Sequence, residues 1–181
     1  MVPLPFSPFP DLTTPRLVLR QMSDRDTERL FQLRSDPTVN KFIGRKLAEE
    51  LPEATAFISR INGSIKSGST VYWAICLRAD SELIGTICLW NFSGDTRVAE
   101  LGYELMPSFQ GQGIMDEAVK LVLNFASAEL KLEGLEAFTH KENLPSIHLL
   151  ERNHFQLDSQ RKDPENEDNL IFTIKLPLQH G

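Results

Sequence analysis

The chain holds only two cysteines in 181 residues, Cys76 and Cys88, and each falls inside an apolar, strand-like run. A disulfide framework or a cysteine-based metal site is therefore excluded, and both are expected to be reduced core residues of a cytosolic protein. Long hydrophobic runs are absent as well. The apolar N-terminus, MVPLPFSPFPDL, is interrupted by prolines and has no basic flank, so it does not read as a secretory leader. No later window approaches a membrane span. Positive charge is in deficit: 19 Lys and Arg against 25 Asp and Glu give a formal charge of −6. That balance argues against a nucleic-acid surface and suits cationic partners such as amines. Internal repeats and domain linkers are missing too, so residues 1–181 are expected to form a single domain, with 1–11 as an irregular N-terminal extension.

What is present is organised around Ala99 to Ala128, AELGYELMPSFQGQGIMDEAVKLVLNFASA. It begins as a strand pattern, breaks at Pro107, passes through Gln110-Gly111-Gln112-Gly113 and turns helical from Met115. The first N–H groups of a helix have no partner within it, so they point at whatever lies over the helix start. The two glycines let main chain approach an anion closely. Gln110, Gly111, Gln112, Gly113, Ile114 and Met115 thus form a candidate anion site. The competing reading is a plain strand-to-helix connection.

The rest of the chain supplies a frame for that stretch. Thr14–Arg20 alternates and predicts a first strand. Ser23, with Asp26 three residues on, predicts the start of a helix whose apolar face is Leu30 and Leu33 and which ends at Asp36-Pro37. A second helix is expected from about Pro52 to Lys66, with Ala54, Phe57, Ile58, Ile61 and Ile65 as its stripe and Gly68 as its stop. Val71–Leu77, Leu83–Phe92 and Val98–Met106 are joined by short turn-rich links, Arg78–Glu82 and Ser93–Arg97, and predict an antiparallel meander. After the central helix, a crossover of this length lets Leu135–Thr139 lie parallel to Val98–Met106. Asn143 can cap a helix through Asn153, and Phe155–Asp158 with Leu170–Lys175 predicts a closing hairpin around Ser159–Asn169.

With these elements in place, the chain resembles the GNAT superfamily of acyl-CoA-dependent N-acetyltransferases, from about Leu12 to Leu176. Its nearest likeness there is to the branch containing the RimJ and RimL ribosomal-protein alanine acetyltransferases. LTTPRLVLR is similar to that branch's Thr-x-Arg-Leu-x-Leu-Arg opening. AELGYELMPSFQGQGIMDEA is similar to its Glu-x-Gly-Tyr strand and coenzyme loop, and KENLPSIHLLERNHF to its Asn-x-x-Ser-x-x-Leu-Leu-Glu element. The chain departs from the pattern twice: Met115 ends the loop where the superfamily has Gly or Ala, and His154 replaces the glycine that closes the last helix. The resemblance implies an α/β domain built on a mixed, mostly antiparallel twisted sheet. That sheet is split between the fourth and fifth strands and flanked by about four helices.

It also implies chemistry. Acetyl-CoA would be the co-substrate, with no metal, and its pyrophosphate would sit on Gln110 to Met115. Main chain at Leu105 and Met106 would pair with the pantetheine arm, which needs this strand to splay from Leu135–Thr139 at Pro107. Asn143 would bond the coenzyme arm and Ser146 would lie near its sulfur as a proton donor; capping alone explains Asn143 equally well. Glu100, on one strand face with Gly102 and Glu104, is the candidate base, against the alternative of an idle surface carboxylate. Tyr103 reads as packing, and His140 is a secondary base candidate. The histidines make no metal set, the Asp163–Asp168 run is a solvated hairpin tip, and Trp73 and Trp90 belong to core or interface.

An α-amine, with a pKa of about 7.7–8.0, costs roughly 1 kcal/mol to deprotonate at neutral pH, against nearer 5 for lysine at about 10.4. That cost favours an N-terminal or small-molecule amine, and the resemblance implies a peptide N-terminus of the ribosomal-protein-alanine type, acetylated by direct attack in a ternary complex. A polyamine, aminoglycoside or amino acid is the alternative acceptor, and a non-catalytic acyl-CoA-binding module the alternative class. The family resemblance suggests a homodimer through the exposed hairpin.

Overall fold

A computed structural model describes residues 6–94 and 97–177. The start of the expected N-terminal extension (residues 1–5) and the centre of the Ser93–Arg97 turn (95 and 96) lie outside the described residues. Residues 6–11 hold no regular element, but Phe6 and Phe9 are packed against the core. Phe9 meets Trp73 edge-on at 6.0 Å, and the Trp73 indole donates to the Pro10 carbonyl at 2.8 Å.

Eight strands make one sheet: β1 (Leu12–Thr13), β2 (Leu17–Arg20), β3 (Val71–Leu77), β4 (Leu83–Trp90), β5 (Val98–Leu105), β6 (Gly134–His140), β7 (Gln156–Leu157) and β8 (Asn169–Lys175). Their order is β1-β2-β3-β4-β5-β6-β8-β7. All neighbours are antiparallel except β5 and β6, as the helical crossover between them requires. The strand expected over Thr14–Arg20 begins only at Leu17, and a two-residue strand, β1, precedes it. The Thr14 amide donates to the Leu17 carbonyl (3.0 Å) and the Leu17 amide to the Thr14 hydroxyl (2.9 Å). Pro15, which has no amide to give a ladder, lies in the resulting turn. Because β1 adds one to the count, the split expected between the fourth and fifth strands is found between the same two strands, here β5 and β6.

Helices α1 (Thr27–Ser35), α2 (Pro37–Asn40) and α3 (Leu51–Lys66) precede the meander; α4 (Ile114–Ala128) and α5 (Leu144–Arg152) follow it. The stripe expected on α3, Ala54, Phe57, Ile58, Ile61 and Ile65, is buried. With Leu30, Leu33 and Met22 it packs one face of the sheet. On the other face α4 lays Ala118, Val119, Val122 and Phe125 against Leu101, Leu105 and Leu135. A residue's parity along β5 therefore decides which helical layer it meets. No helix among the described residues is long and apolar enough to cross a membrane.

The turn from β2 into α1 is held by a buried ion pair. Arg20 grips both oxygens of Asp26 at 2.8 and 2.7 Å, and the Ser23 amide donates to the same carboxylate at 2.8 Å. Burial works against the Asp26 charge, but Arg20 and the Ser23 amide hold its pKa below the ordinary carboxylate value. Because the folded value is depressed, this stabilisation is present above the unfolded pKa, near ~3.9, and is lost as pH falls through the folded one. Asp26→Ala should cost about 3 kcal/mol by leaving Arg20 buried without its partner. In urea unfolding, the gap between variant and native protein should narrow below about pH 4.

Candidate active site

The site begins where two strands part. β5 and β6 pair only from Val98 to Glu100 against Gly134 to Glu136. Beyond that β5 follows β4 as far as Leu105, and β6 follows β8 as far as His140. The splay expected at Pro107 thus opens six residues earlier, at Leu101, because each strand keeps its other partner.

Hydrogen-bond parity shows what the opening contains. The Met106 amide donates to the Ile84 carbonyl and the Ser93 amide to the Val98 carbonyl, both at 2.9 Å, so even-numbered residues of β5 turn their main chain toward β4. The Glu133 amide donates to the Arg97 carbonyl at 2.9 Å, so odd-numbered residues face β6. Leu101, Tyr103 and Leu105 therefore direct main-chain groups into the opening. The same argument on β6, from Lys141 bonding Asp168 and Leu176 bonding Glu133, places the main chain of Phe138 and His140 opposite them. Met106 does not belong to this set. Its amide is engaged by Ile84 and its carbonyl accepts from the Phe109 amide at 3.0 Å. Leu105 stays in the set through its amide, since the Gln110 side chain donates to its carbonyl at 2.9 Å.

At the end of β5 the chain makes a short turn, Pro107–Phe109, and then crosses Gly111 at φ 72° and Gly113 at φ 73° before α4 begins. Both dihedrals lie in the left-handed region that a Cβ penalises, which is why glycine stands there. Among the described residues, the main-chain N–H groups from Gly111 through Asp116 donate to no acceptor; the first intrahelical bond runs from Glu117 to Gly113 at 3.1 Å. Ile114 and Met115 turn their side chains into the core, so the methionine that departs from the family pattern leaves its amide exposed to the loop. Arg16, not singled out as a site residue from sequence, reaches the same loop. It donates to the Gln112 carbonyl at 3.0 Å and pairs with Glu117, which also accepts from Thr14.

On the α4–α5 side of the opening, Asn143 caps α5 by accepting from the Ser146 amide. Ser146 is drawn to β5 by a second contact: the Tyr103 and Ser146 hydroxyls lie 2.7 Å apart. Tyr103, expected to be packing, is thus a polar partner of the candidate donor. Burial pushes its phenol up to about 12, against the Ser146 bond, so it stays protonated at neutral pH and can donate to Ser146. The helix behind them ends as the family pattern requires even without glycine. His154 takes the left-handed conformation at φ 67°, and its amide reaches the Glu151 carbonyl at 3.0 Å.

Glu100 lies on the opposite side. It is half-buried and stands in register with Trp90, whose exposed indole flanks it. Burial first, and then the charges of Glu136, Asp163 and Glu165, raise its pKa to about 6, although the Asn91 amide approaches it at 3.5 Å. Glu104, two steps along the same face, is already engaged by Arg45 at 2.6 Å and by the Thr86 hydroxyl at 3.2 Å. His140 has its ring stacked on Phe42 at 5.1 Å, and its Nδ1 accepts from the Glu142 amide at 3.2 Å. Phe42 and Arg45 come from the 41–50 segment, so that segment is fixed to both sides of the opening, to β6 by the stack and to β5 by the ion pair. The hairpin tip folds over the same face through Arg161, which pairs with Glu136.

Neither cysteine offers a nucleophile. Both are free, and burial raises Cys76 to about 11 and Cys88 to about 12. No cluster that could hold a metal occurs among the described residues.

The chain is similar to known proteins. Residues 16–156 match the Acetyltransferase (GNAT) domain family. The uncharacterized N-acetyltransferase YoaA of Bacillus subtilis is 32% identical over 148 residues, covering 82% of this chain and 84% of its own. The ribosomal protein uS5-alanine N-acetyltransferase of Escherichia coli is 28% identical over 163 residues, covering 84% and 81%. Among solved structures, RimJ of Mycobacterium smegmatis in complex with CoA-disulfide superposes with a TM-score of 0.76 at 20% identity, over 92% of this chain and 86% of that one. With the split sheet, the glycine-bearing turn and a family match that spans most of its length, the chain belongs to the GNAT acetyltransferases.

Proposed function

We propose that the chain transfers the acetyl group of acetyl-CoA to a primary amine, with a protein N-terminal α-amine as the acceptor, by direct attack within a ternary complex. The observation that carries this reading is the pairing of two donor sets, the N–H run from Gly111 to Asp116 and the main-chain groups of Leu101, Tyr103 and Leu105. The first suits a pyrophosphate; the second suits a pantetheine arm lying as an extra strand. When bound, acetyl-CoA supplies the activated acyl carbon and a thiolate leaving group. The likeness to the uS5-alanine acetyltransferase favours a peptide acceptor, and the lower proton cost of an α-amine favours it over lysine.

The chain's own residues then divide the proton work between the two faces of β5. Glu100 takes the amine proton on the α1–α3 side. A main-chain amide of β5 in the opening donates to the carbonyl oxygen as charge gathers there. Ser146, held by the Tyr103 phenol, delivers a proton to the departing sulfur on the α4–α5 side. In this scheme the reacting carbon lies in the opening between these groups.

Three outcomes follow from this division. Glu100→Gln should lower kcat by about 10²-fold or more while the calorimetric Kd for CoA stays unchanged. In the native enzyme the acid limb of kcat/KM should rise with pH through about 6, as the Glu100 carboxylate ionises, and that limb should vanish in the variant. Ser146→Ala and Tyr103→Phe should each slow thiol release, and the double variant should be no slower than the slower single one, since both interrupt one hydroxyl pair. Additive losses would show that the two hydroxyls act separately.

A further inference from the structure

The face of the sheet that carries Glu100 also holds a charge imbalance that acetyl transfer does not use. Arg34, on α1, lays its guanidinium over the Phe57 ring at 3.9 Å, and Arg60 approaches the same ring at 5.0 Å. Phe57 meets Tyr72 edge-on at 5.8 Å, and the Tyr72 and Thr86 hydroxyls are 3.1 Å apart. Thr86 in turn donates to Glu104, whose other oxygen receives Arg45. The Ala48 amide donates to the Arg34 carbonyl at 3.1 Å, tying the segment that bears Arg45 to α1. Three arginines thus converge beside the Leu105 end of β5.

The carboxylates nearby are already engaged. Glu104 is divided between Arg45 and Thr86, and Glu53 accepts the amides of Glu49 and Glu50 at 2.8 and 2.9 Å. Among the described residues, the guanidinium groups of Arg34 and Arg60 make ring contacts but no hydrogen bond or ion pair, and the buried Nε of Arg45 has no acceptor. Burial, and then the Arg45 charge, pull the half-buried Arg34 below its ordinary pKa, as expected where cations outnumber their partners. A guanidinium presents its donors in a planar fork suited to carboxylate or phosphate, and leaving it half-buried without one is unfavourable. The opposite end of the same face is acidic, with Glu136, Asp163 and Glu165 around Glu100. Glu100 and Glu104 are four residues apart on one strand, about 13 Å.

We propose that the acceptor amine carries an anionic group, a carboxylate or a phosphate, which Arg34 and Arg45 receive while the amine lies at Glu100. The proposal rests on the acetyl-transfer reading above and adds what the acceptor must contain. Amine and anion should be separated by on the order of 10 Å, the length of three extended residues. A peptide with an acidic side chain at its third position meets that requirement, and so does an amine linked through a short chain to a phosphate.

Matched acceptors that differ only in the anion test this. One pair is the peptide Ala-Ala-Glu-Ala-amide against Ala-Ala-Gln-Ala-amide; the other is aminohexyl phosphate against aminohexanol. The anionic member should have a kcat/KM higher by roughly tenfold or more, the worth of a charge-assisted hydrogen bond. The pair with the larger ratio identifies which anion the site prefers. Arg34→Gln should remove the preference and Arg34→Lys should restore part of it. High salt should erode it in the native chain, a readout that stands even if a variant fails to fold. Calorimetry of the two peptides with the CoA-loaded chain reports anion recognition without turnover. No transfer to any amine, with binding still favouring the Glu peptide, would overturn the transfer reading alone. Equal binding and equal rates within both pairs would overturn the anionic acceptor.

Discussion

A strand cannot hold two neighbours that diverge. β5 is bound to β4 through Leu105 and β6 to β8 through His140, and once those ladders separate the two strands share only the pairing from Val98 to Glu100. The candidate site depends on that conflict. It exposes alternate peptide groups of both strands to a common space, and it sets the Pro107–Gly113 turn at one end of that space. An ordinary sheet would have consumed the same donors and acceptors in its own ladder.

The opening also separates two chemical environments. Because side chains alternate along β5, Tyr103 points with Leu101 and Leu105 into the layer of α4 and α5, and there it finds Ser146. Glu100 and Glu104 point the other way, beneath the segment that bears Phe42 and Arg45. Within that second layer the two glutamates have opposite surroundings. Glu104 is neutralised by Arg45, whereas Glu100 faces other carboxylates and is only partly screened from water. Two chemically identical side chains four residues apart thus differ in availability, since one already has its cation and the other has a raised proton affinity.

Local pattern made much of this readable in advance. The stripes of α3 and α4, the cap at Asn143 and the glycine turn each depend on residues within a few positions of one another, and helical or strand periodicity reports them directly. Even the missing glycine after α5 was answered locally, by His154 adopting the left-handed conformation. What escaped depends on partners far apart in the chain. Tyr103 and Ser146 are 43 positions apart and Arg45 and Glu104 are 59 apart, and nothing in either segment alone announces the other. The point where β5 leaves β6 was likewise illegible. It depends on the reach of the β4 and β8 ladders and not on Pro107, which only ends a strand already parted. The internal bonding of the Met106 main chain was illegible for the same reason, since strand alternation shows that neighbours differ but not which of them faces which side.

Leaving peptide groups unpaired inside a protein costs about 1–3 kcal/mol for each one shielded from water, so an opening of this kind tends to close unless something prevents it. Here the two helical layers prevent it. Leu101 and Leu105 anchor β5 in the α4 layer, and Leu135 and Ala137 anchor β6 in the same core, so drawing the strands together would require repacking both. The second layer adds a brace from outside, because the segment carrying Phe42 and Arg45 touches β6 and β5 at once. Donors held at fixed positions by a packed core need not reorganise when charge develops opposite them, and that is the condition under which a main-chain amide stabilises an oxyanion more effectively than water does. In the proposed reaction the hydrophobic residues of α4 would thus serve the chemistry as directly as the polar ones: they keep apart two strands whose own hydrogen bonding would otherwise join them.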